Sequence, residues 1–446
     1  MSRHRTPEQH RFMKLPVSHV RLAALCTLTL YLFLGPLNFA SNAMPLIYAN
    51  YPTYQNNGKQ HFDENSERLV TGRIAFATRG EPYPHALQLW RQGTDATPPS
   101  TIADAEPGQT SLASGGSVYR SQPGLQGLLW ATVARCSGAT EGSYGYLRQL
   151  NALLTALMLA GVIVWMRFRW GDAAAAAALL WGCLATGINI FSNSLYWSVW
   201  LMLLPMAVSC WFAMAHRSRP VLLFIALTTA FLLKCLAGYE FISVVGLSAL
   251  LPWFAAAVVD RDRTAWSSVV ATCLALPVAF ALSLVIYAQL FAADFGSSAI
   301  AYLTSRGGAW SVEQLTDVAI NPLDQVAKIG LLHAADFNGI GVPLVAVALA
   351  QAAYLMALRR DIDRAAWLLY GYALAASASW AVLQPGHVLF HPRYVLWLVS
   401  VPCGLVFSAL NVVVWQRRRD RHLRRTALAP SRGDHHHQPT PSTDPG

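Results

Sequence analysis

Long apolar runs of about twenty residues, separated by mostly short polar connections, recur along this chain. A membrane-spanning helix needs about 20 predominantly apolar residues, so the pattern predicts an all-α polytopic membrane protein with about ten transmembrane helices. The first run is too long for a signal peptide and lacks a small-residue cleavage site, which favours an uncleaved anchor. The predicted spans are 22–43, 147–166, 173–191, 195–215, 220–237, 241–259, 265–291, 338–358, 365–384 and 394–416.

The polar segments divide the chain around these runs. Residues 44–146 form a large first loop, and 292–337 form a smaller second loop. Within the first loop, 122–136 (QPGLQGLLWATVARC) is too short to span and predicts an interfacial helix lying along the membrane. The ends are a basic tail, 1–21, and a tail at 417–446 whose composition predicts disorder.

Composition supports a membrane location. Apolar residues make up 54% of the chain and charged residues 13%, against roughly 25% charged residues in soluble domains. The net charge of +10 comes from basic clusters between apolar runs, which is typical of membrane topology and not of nucleic-acid binding. The lipid bilayer is the predicted partner, with no nucleic acid.

The basic residues also predict an orientation. They recur in every second connection and in both tails, whereas the short connections on the opposite side carry only Arg393. Under the positive-inside rule both termini are cytoplasmic and residues 44–146 are extracytoplasmic, in a bacterial inner (plasma) membrane protein. The connections predicted to be cytoplasmic contain Arg167 and Arg169, Arg217 and Arg219, Arg261 and Arg263, and Arg359, Arg360 and Arg364.

Several chemistries are disfavoured by missing motifs. Six of the seven cysteines lie in apolar runs and no C-x-x-C pair exists, so neither a disulfide framework nor a zinc framework is predicted. The chain has no Walker A motif, no G-x-G-x-x-G before a helix, no H-E-x-x-H and no G-x-S-x-G, which argues against an ATP-driven pump and a serine or zinc protease. No metal site is predicted, and the sequence leaves a requirement for a divalent cofactor open.

Ionisable residues close to membrane depth are the first functional candidates, because they are costly there. Lys234 and Glu240 flank the turn 236–239 between two predicted spans. One interpretation is a structural pair with a snorkelling lysine. The other is that Lys234 holds a phosphate and Glu240 orients the phosphate or the acceptor.

A second candidate group precedes the last span. His391, Arg393 and Tyr394 lie in GHVLFHPRYVLW. Arginine offers a planar fork for phosphate, and this one falls where a lipid phosphate headgroup would lie. The alternative is an interfacial anchor beside an aromatic residue.

The third group lies in the first loop. Asp63 and Glu64, in QHFDENSE, are the loop acids nearest the first span, since residues 48–60 contain none. Activating a hydroxyl group needs a positioned carboxylate base. The acidic set of this loop also contains Glu67, and most loop acids are expected to be solvated. Arg120 and Gln122 lead into the predicted interfacial helix and are expected to face a membrane cavity.

In these features the chain resembles the membrane-integral GT-C glycosyltransferases, which use polyprenyl-phosphate-linked sugars. One helix precedes a large outer loop with a membrane-lying helix, and many spans follow. Pro123 and Leu125 stand where such enzymes often carry a Pro-Pro-Leu-type segment, and the run 391–394 (HPRY) is similar to their late Arg-Tyr segment.

The resemblance implies a GT-C-like fold and a lipid-linked sugar donor. Asp63 or Glu64 would deprotonate the acceptor hydroxyl, while Arg393 and Lys234 would stabilise the departing lipid phosphate. The supporting residues would be Arg120, Gln122, Glu240, His391 and Tyr394. The alternatives are a transporter or flippase, a polysaccharide polymerase or ligase for lipid-linked glycans, and a scaffold without activity.

Overall fold

The computed structural model describes residues 17–37, 64–78, 87, 89–91, 117–119, 122–138, 145–215, 219–295, 298, 301, 344–383 and 399–428. These residues are predominantly helical, with one short antiparallel ladder. The strands are β1 (Leu89–Arg91) and β2 (Ser117–Tyr119). The helices are α1 (Val17–Leu34), α2 (Glu64–Thr78), α3 (Leu125–Cys136), α4 (Gly145–Trp170), α5 (Asp172–Leu184), α6 (Thr186–Ser192), α7 (Val199–Ala215), α8 (Pro220–Ala237), α9 (Ile242–Phe254), α10 (Trp266–Phe295), α11 (Leu344–Leu358), α12 (Arg364–Leu383) and α13 (Leu405–Leu428).

Four helical segments in the described part of the chain are long and apolar enough to cross a bilayer. They are Gly145–Trp170, Pro220–Ala237, Ile242–Val259 and Arg263–Phe295. The third adds the π-helical turn Ala255–Val259 to α9, and the fourth adds the 3₁₀ turn Arg263–Ala265 to α10. These segments support a membrane protein, and the figure of about ten spans stays a prediction for the other runs.

Two of the predicted spans have a different local structure. The run 173–191 is split into α5 and α6 by an extended Ala185. The Asn189 side chain donates to the carbonyls of Cys183 and Ala185 at 2.8 and 3.1 Å, which satisfies backbone acceptors at the break. The run 195–215 becomes helical only at Val199, because 193–198 form turns.

The first helix also ends earlier than its apolar pattern suggests. The apolar pattern predicts a helix that reaches residue 43, but α1 ends at Leu34 and is followed by a turn at 35–37. Pro36 disfavours helical backbone at the preceding residue. Residues 38–43 lie outside the described part of the chain.

The apolar helices pack around a shared core. α1 packs on α4, α4 on α7, α7 on α9, and α8 along α10. The π-helical turn Val399–Gly404, which leads into α13, approaches α5 closely. A Cβ on Gly404 would lie 2.2 Å from Cε2 of Trp181, so this contact requires glycine.

A small layer is built at one end of the bundle from α2, α3 and the β ladder. The helix predicted at 122–136 is present from Leu125, after Pro123 and Gly124. Leu89 lies beneath α3, because a Cβ on Gly124 or Gly127 would come within 2.4 Å of its side chain. α3 also contacts α4 and α8, so it rests on the helical bundle, while its depth relative to a bilayer stays a prediction.

Ion pairs cluster at the opposite end of α4, which is 26 residues long and therefore about 39 Å from end to end. Arg167 pairs with Asp172, and Arg169 pairs with Asp260. These residues belong to the connections whose basic content predicts a cytoplasmic location.

Candidate functional site

Glu67 joins the first-loop helix α2 to the connection between α6 and α7. Its carboxylate accepts hydrogen bonds from Ser194 Oγ at 2.9 Å, Leu195 N at 3.1 Å and Tyr196 N at 3.2 Å. The Nε of Arg148 on α4 lies 3.4 Å from Glu67 Oε1. Glu67 is 6% exposed, so it is an exception to the expectation that most loop acids are solvated. Its carboxylate organises the start of the connection.

The end of the same connection is held by α3. Trp130 donates its indole N–H to Ser198 Oγ at 2.9 Å and to the Leu195 carbonyl at 3.2 Å. Ser198 has a φ of 40°, a conformation that non-glycine residues adopt rarely, and its hydroxyl donates to Leu195 O at 2.7 Å. Two first-loop helices therefore fix residues 194–198 from both sides.

The Tyr196 hydroxyl connects two of the residues predicted from the sequence. Gln122 Nε2 donates to Tyr196 Oη at 2.5 Å, and Tyr196 Oη donates to Glu240 Oε1 at 3.4 Å. Gln122 lies just before α3, whereas Glu240 lies in the connection between α8 and α9. We call Gln122, Tyr196 and Glu240 the carboxyl cluster.

Lys234 lies beneath this cluster in the last turn of α8. It is 2% exposed, and its Nζ donates to the Gly238 carbonyl at 2.5 Å. Such a bond closes the C-terminus of a helix, where a cation is also favoured by the helix dipole. Lys234 therefore has a structural partner, and its predicted contact with a phosphate stays a prediction.

Gly238 lets the connection turn directly under the cluster. Its φ is 154°, in a region that is essentially restricted to glycine. A Cβ at this position would lie 2.4 Å from Glu240 Oε2 and 2.9 Å from Gln122 Oε1. Phe241 follows with a left-handed φ of 58°. The backbone conformation and the lack of a side chain at 238 together make room for the carboxyl group.

The surroundings of Glu240 favour its neutral form. Burial raises the pKa of the Glu240 carboxyl above its usual range, and the Lys234 ammonium and the hydrogen bonds from Gln122 and Tyr196 oppose that rise. Burial likewise raises the pKa of the neighbouring Tyr239 to about 12. A carboxyl group whose pKa is raised can take up and release a proton closer to neutral pH than a solvated one.

The other predicted site residues are placed only in part. Glu64 is the first residue of α2, one turn before Glu67, and Asp63 immediately precedes it. The side chain of Glu64 lies outside the described part of the chain, as do Asp63, Arg120, His391, Arg393 and Tyr394. The described residues thus bring together Gln122, Lys234 and Glu240.

Sequence reasoning missed Tyr196 and gave Glu67 no role. The available signal for the connection was the polar run Ser192-Asn193-Ser194 between apolar segments, which predicts a turn but not its partners. Among the described residues, histidine, cysteine, aspartate and glutamate form no group that could hold a metal ion.

No protein-family model, curated protein or solved structure matches this chain. What the protein does is therefore inferred from the residues of the site and from the layout of the chain.

Proposed function

We propose that this protein is a membrane-integral glycosyltransferase. It moves a sugar from a polyprenyl-phosphate donor to an acceptor at the extracytoplasmic face of a bacterial inner membrane, with both termini in the cytoplasm. The proposal is supported by the apolar spans, by the large loop between the first and second predicted spans, and by the basic connections at the other end of the bundle.

The observation that carries the proposal is the position of the carboxyl cluster. Gln122 comes from the first loop, and Glu240 sits at the junction of the candidate spans α8 and α9. Polar and ionisable groups near membrane depth are costly and are commonly functional. A donor with a lipid tail and a sugar-phosphate head needs such polar groups at the end of apolar helices.

The proposed reaction needs a base and a site for the leaving group. The acceptor hydroxyl oxygen attacks the anomeric carbon, the bond from that carbon to the phosphate oxygen breaks, and the hydroxyl proton passes to a carboxylate. Asp63 or Glu64 is the proposed base, and Glu240 supports the acceptor or the sugar. Arg393 stabilises the charge that develops on the polyprenyl phosphate, and the buried Lys234 adds positive potential.

The test is transfer by purified protein in detergent. A panel of radiolabelled hexosyl and pentosyl polyprenyl phosphates, with and without Mg²⁺, is incubated with acceptor-containing envelope extract. We expect labelled product and free polyprenyl phosphate, both lost in Arg393→Ala and retained in Asp172→Asn, which alters an exposed ion pair at the far end of α4. No product from any donor, or full activity in Arg393→Ala, would overturn the proposal.

A transporter of lipid-linked sugars is the second candidate, since ionisable residues such as Glu240 and Lys234 also serve proton-coupled transport. Detergent micelles provide no second compartment, so transfer in detergent supports the transferase. Movement of the labelled lipid across vesicles without a new glycosidic bond would support the transporter. A polymerase or ligase is separated by its product, which is a longer chain in place of one added sugar.

A further inference from the structure

Glu67 has no part in the proposed bond-breaking chemistry, yet it connects the first loop to the carboxyl cluster. Its carboxylate receives the backbone N–H of Tyr196, and the hydroxyl of the same tyrosine reaches Glu240. Tyr196 thus contacts a different carboxyl group at each end, one on the first-loop helix α2 and one between the candidate spans α8 and α9.

The tyrosine is rigidly placed between these contacts. Its backbone is fixed by Glu67, which also holds the neighbouring Ser194 and Leu195. Its ring packs edge-on against Trp197, with centroids 5.2 Å apart, and it is buried. Tyrosine has only two side-chain torsions, so fixing the backbone and the ring also fixes the position of the hydroxyl.

The hydrogen bonds at the hydroxyl have a defined direction. Gln122 Nε2 donates to Tyr196 Oη, and the hydroxyl proton of the tyrosine points to Glu240 Oε1. A donor aimed at a carboxyl group favours its ionised form and selects its orientation. A shift of the connection 194–198 would move this donor away from Glu240.

We propose that Glu67 is a positioning residue that acts through Tyr196 to orient the carboxyl group of Glu240. Docking of the first-loop helix on the membrane helices is then part of assembling the site. The link between the two glutamates stands on hydrogen bonds alone, whereas its effect on sugar transfer rests on the proposed function.

The other groups around Glu240 are accounted for separately. The Lys234 ammonium on α8 lowers the pKa of Glu240, and Glu240 in turn raises the pKa of Tyr239 in the same connection, but neither of these interactions passes through Glu67. Arg148 pairs with Glu67 on the side of α4. Replacing Arg148 tests whether any change near Glu67 disturbs Glu240, or only a change that releases Tyr196.

The experiment is an infrared pH titration of the full-length protein in lipid nanodiscs. The carbonyl stretch of protonated Glu240 is assigned as the band that Glu240→Gln removes. Tyr196→Phe deletes a donor to the charged form, so we expect a shifted band and an ionisation constant lowered at least about threefold, or about 0.5 pH unit. Glu67→Gln is expected to shift the band and the ionisation constant in the same direction as Tyr196→Phe. Arg148→Gln is expected to change neither the band nor the ionisation constant.

A double variant separates positioning from general loosening. Because Glu67 acts through Tyr196, Glu67→Gln combined with Tyr196→Phe should shift the ionisation constant no further than Tyr196→Phe alone. If Glu67→Gln does not fold, Ser194→Ala removes one of the bonds that fix the connection and should give a smaller shift of the same sign. A wild-type band in Glu67→Gln, or in Ser194→Ala when Glu67→Gln does not fold, would overturn the proposal, as would additive shifts in the double variant.

The outcomes also distinguish this inference from the proposed function. If the Glu240 band shifts in Glu67→Gln as it does in Tyr196→Phe but the protein transfers no sugar, the positioning role stands and the proposed transferase function is rejected. If the protein transfers sugar but the Glu240 band does not shift in Glu67→Gln, only the positioning role is rejected. If both hold, Glu67→Gln should lower kcat/KM, because the Glu240 carboxyl group that supports the acceptor or the sugar is no longer oriented.

Discussion

The phenol oxygen of Tyr196 lies 3.4 Å from a carboxylate oxygen of Glu240. One residue belongs to the connection before α7 and the other to the connection after α8, so the contact joins two turns at the same end of neighbouring helices. Gln122 reaches the same phenol from the first loop. Three separate polar segments therefore meet at one carboxyl group.

Gly238→Ala should destabilise the protein, because the added Cβ meets Glu240 and Gln122 and the backbone at 238 suits only glycine. The expected cost is about 1–3 kcal/mol, seen as a lower thermal midpoint in detergent. Gly371→Ala in α12 is the matched control, since its Cβ meets no described atom within 4 Å. It should be neutral or stabilise by up to about 1 kcal/mol. Equal midpoints for the two variants would contradict the close contact at 238.

Trp130→Phe should loosen α3 from the connection 194–198, because the indole N–H no longer reaches Ser198 and Leu195. Leaving those buried acceptors with fewer donors is expected to cost about 1–3 kcal/mol. Trypsin cleavage of the first loop should become faster as well. Trp211→Phe, at a position that is 47% exposed, should leave both the thermal midpoint and the cleavage rate close to wild type.

Stability should depend on the ionisation of Glu240. Its pKa is raised in the folded protein, so between the ordinary glutamate value of about 4.3 and the raised value the folded state binds more protons than the unfolded state. The free energy of unfolding then falls as pH rises through that window. Thermal midpoints measured across pH should show this slope in the wild type and in Asp172→Asn. In Glu240→Gln the slope should be reduced, and an unchanged slope would argue against a raised pKa.

At the other end of the bundle, Asp260→Asn should cost more than Asp172→Asn. Asp260 receives both terminal nitrogens of Arg169, with Nη2 to Oδ1 at 2.7 Å, whereas the Asp172 side chain is 82% exposed. We expect about 1.5 kcal/mol for Asp260→Asn, the lower end for bonds to charged groups because its side chain is 42% exposed. Asp172→Asn should cost about 0–1 kcal/mol. Urea or thermal unfolding of both variants measures the difference.

The apolar runs and the proline and glycine residues at their ends predict the long helices well. The predicted span 220–237 matches Pro220–Ala237, because proline begins the helix and Gly238 ends it. The run 173–191 is not one helix, because the Asn189 side chain donates hydrogen bonds to the carbonyls of Cys183 and Ala185 at the break. The hydrophobic pattern does not predict these bonds. The hydrophobic pattern indicates only a general helix propensity, whereas the break at Ala185 depends on the orientation of the Asn189 side-chain amide.

Residues of the candidate site were predictable only where a charge or a turn contrasts with the neighbouring sequence. Lys234 and Glu240 were found as charges among apolar residues, and Gln122 as part of a turn before a helix. Glu67 looked like any loop acid, since its partners Ser194, Leu195 and Tyr196 are 127 to 129 positions away. Tyr196 carries no charge, and its side-chain partners in the carboxyl cluster, Gln122 and Glu240, are 74 and 44 positions away.

The long separation between Glu67 and its partners sets an order of events during biosynthesis. The helix α2 leaves the ribosome before the connection 194–198 has been made, because α3, α4, α5 and α6 lie between them in the chain. Its carboxylate can reach the final partners only after residues 194–196 have been synthesised. The helix α2 therefore spends that interval without its final partners, and the carboxyl cluster is completed only after Glu240 has also been synthesised.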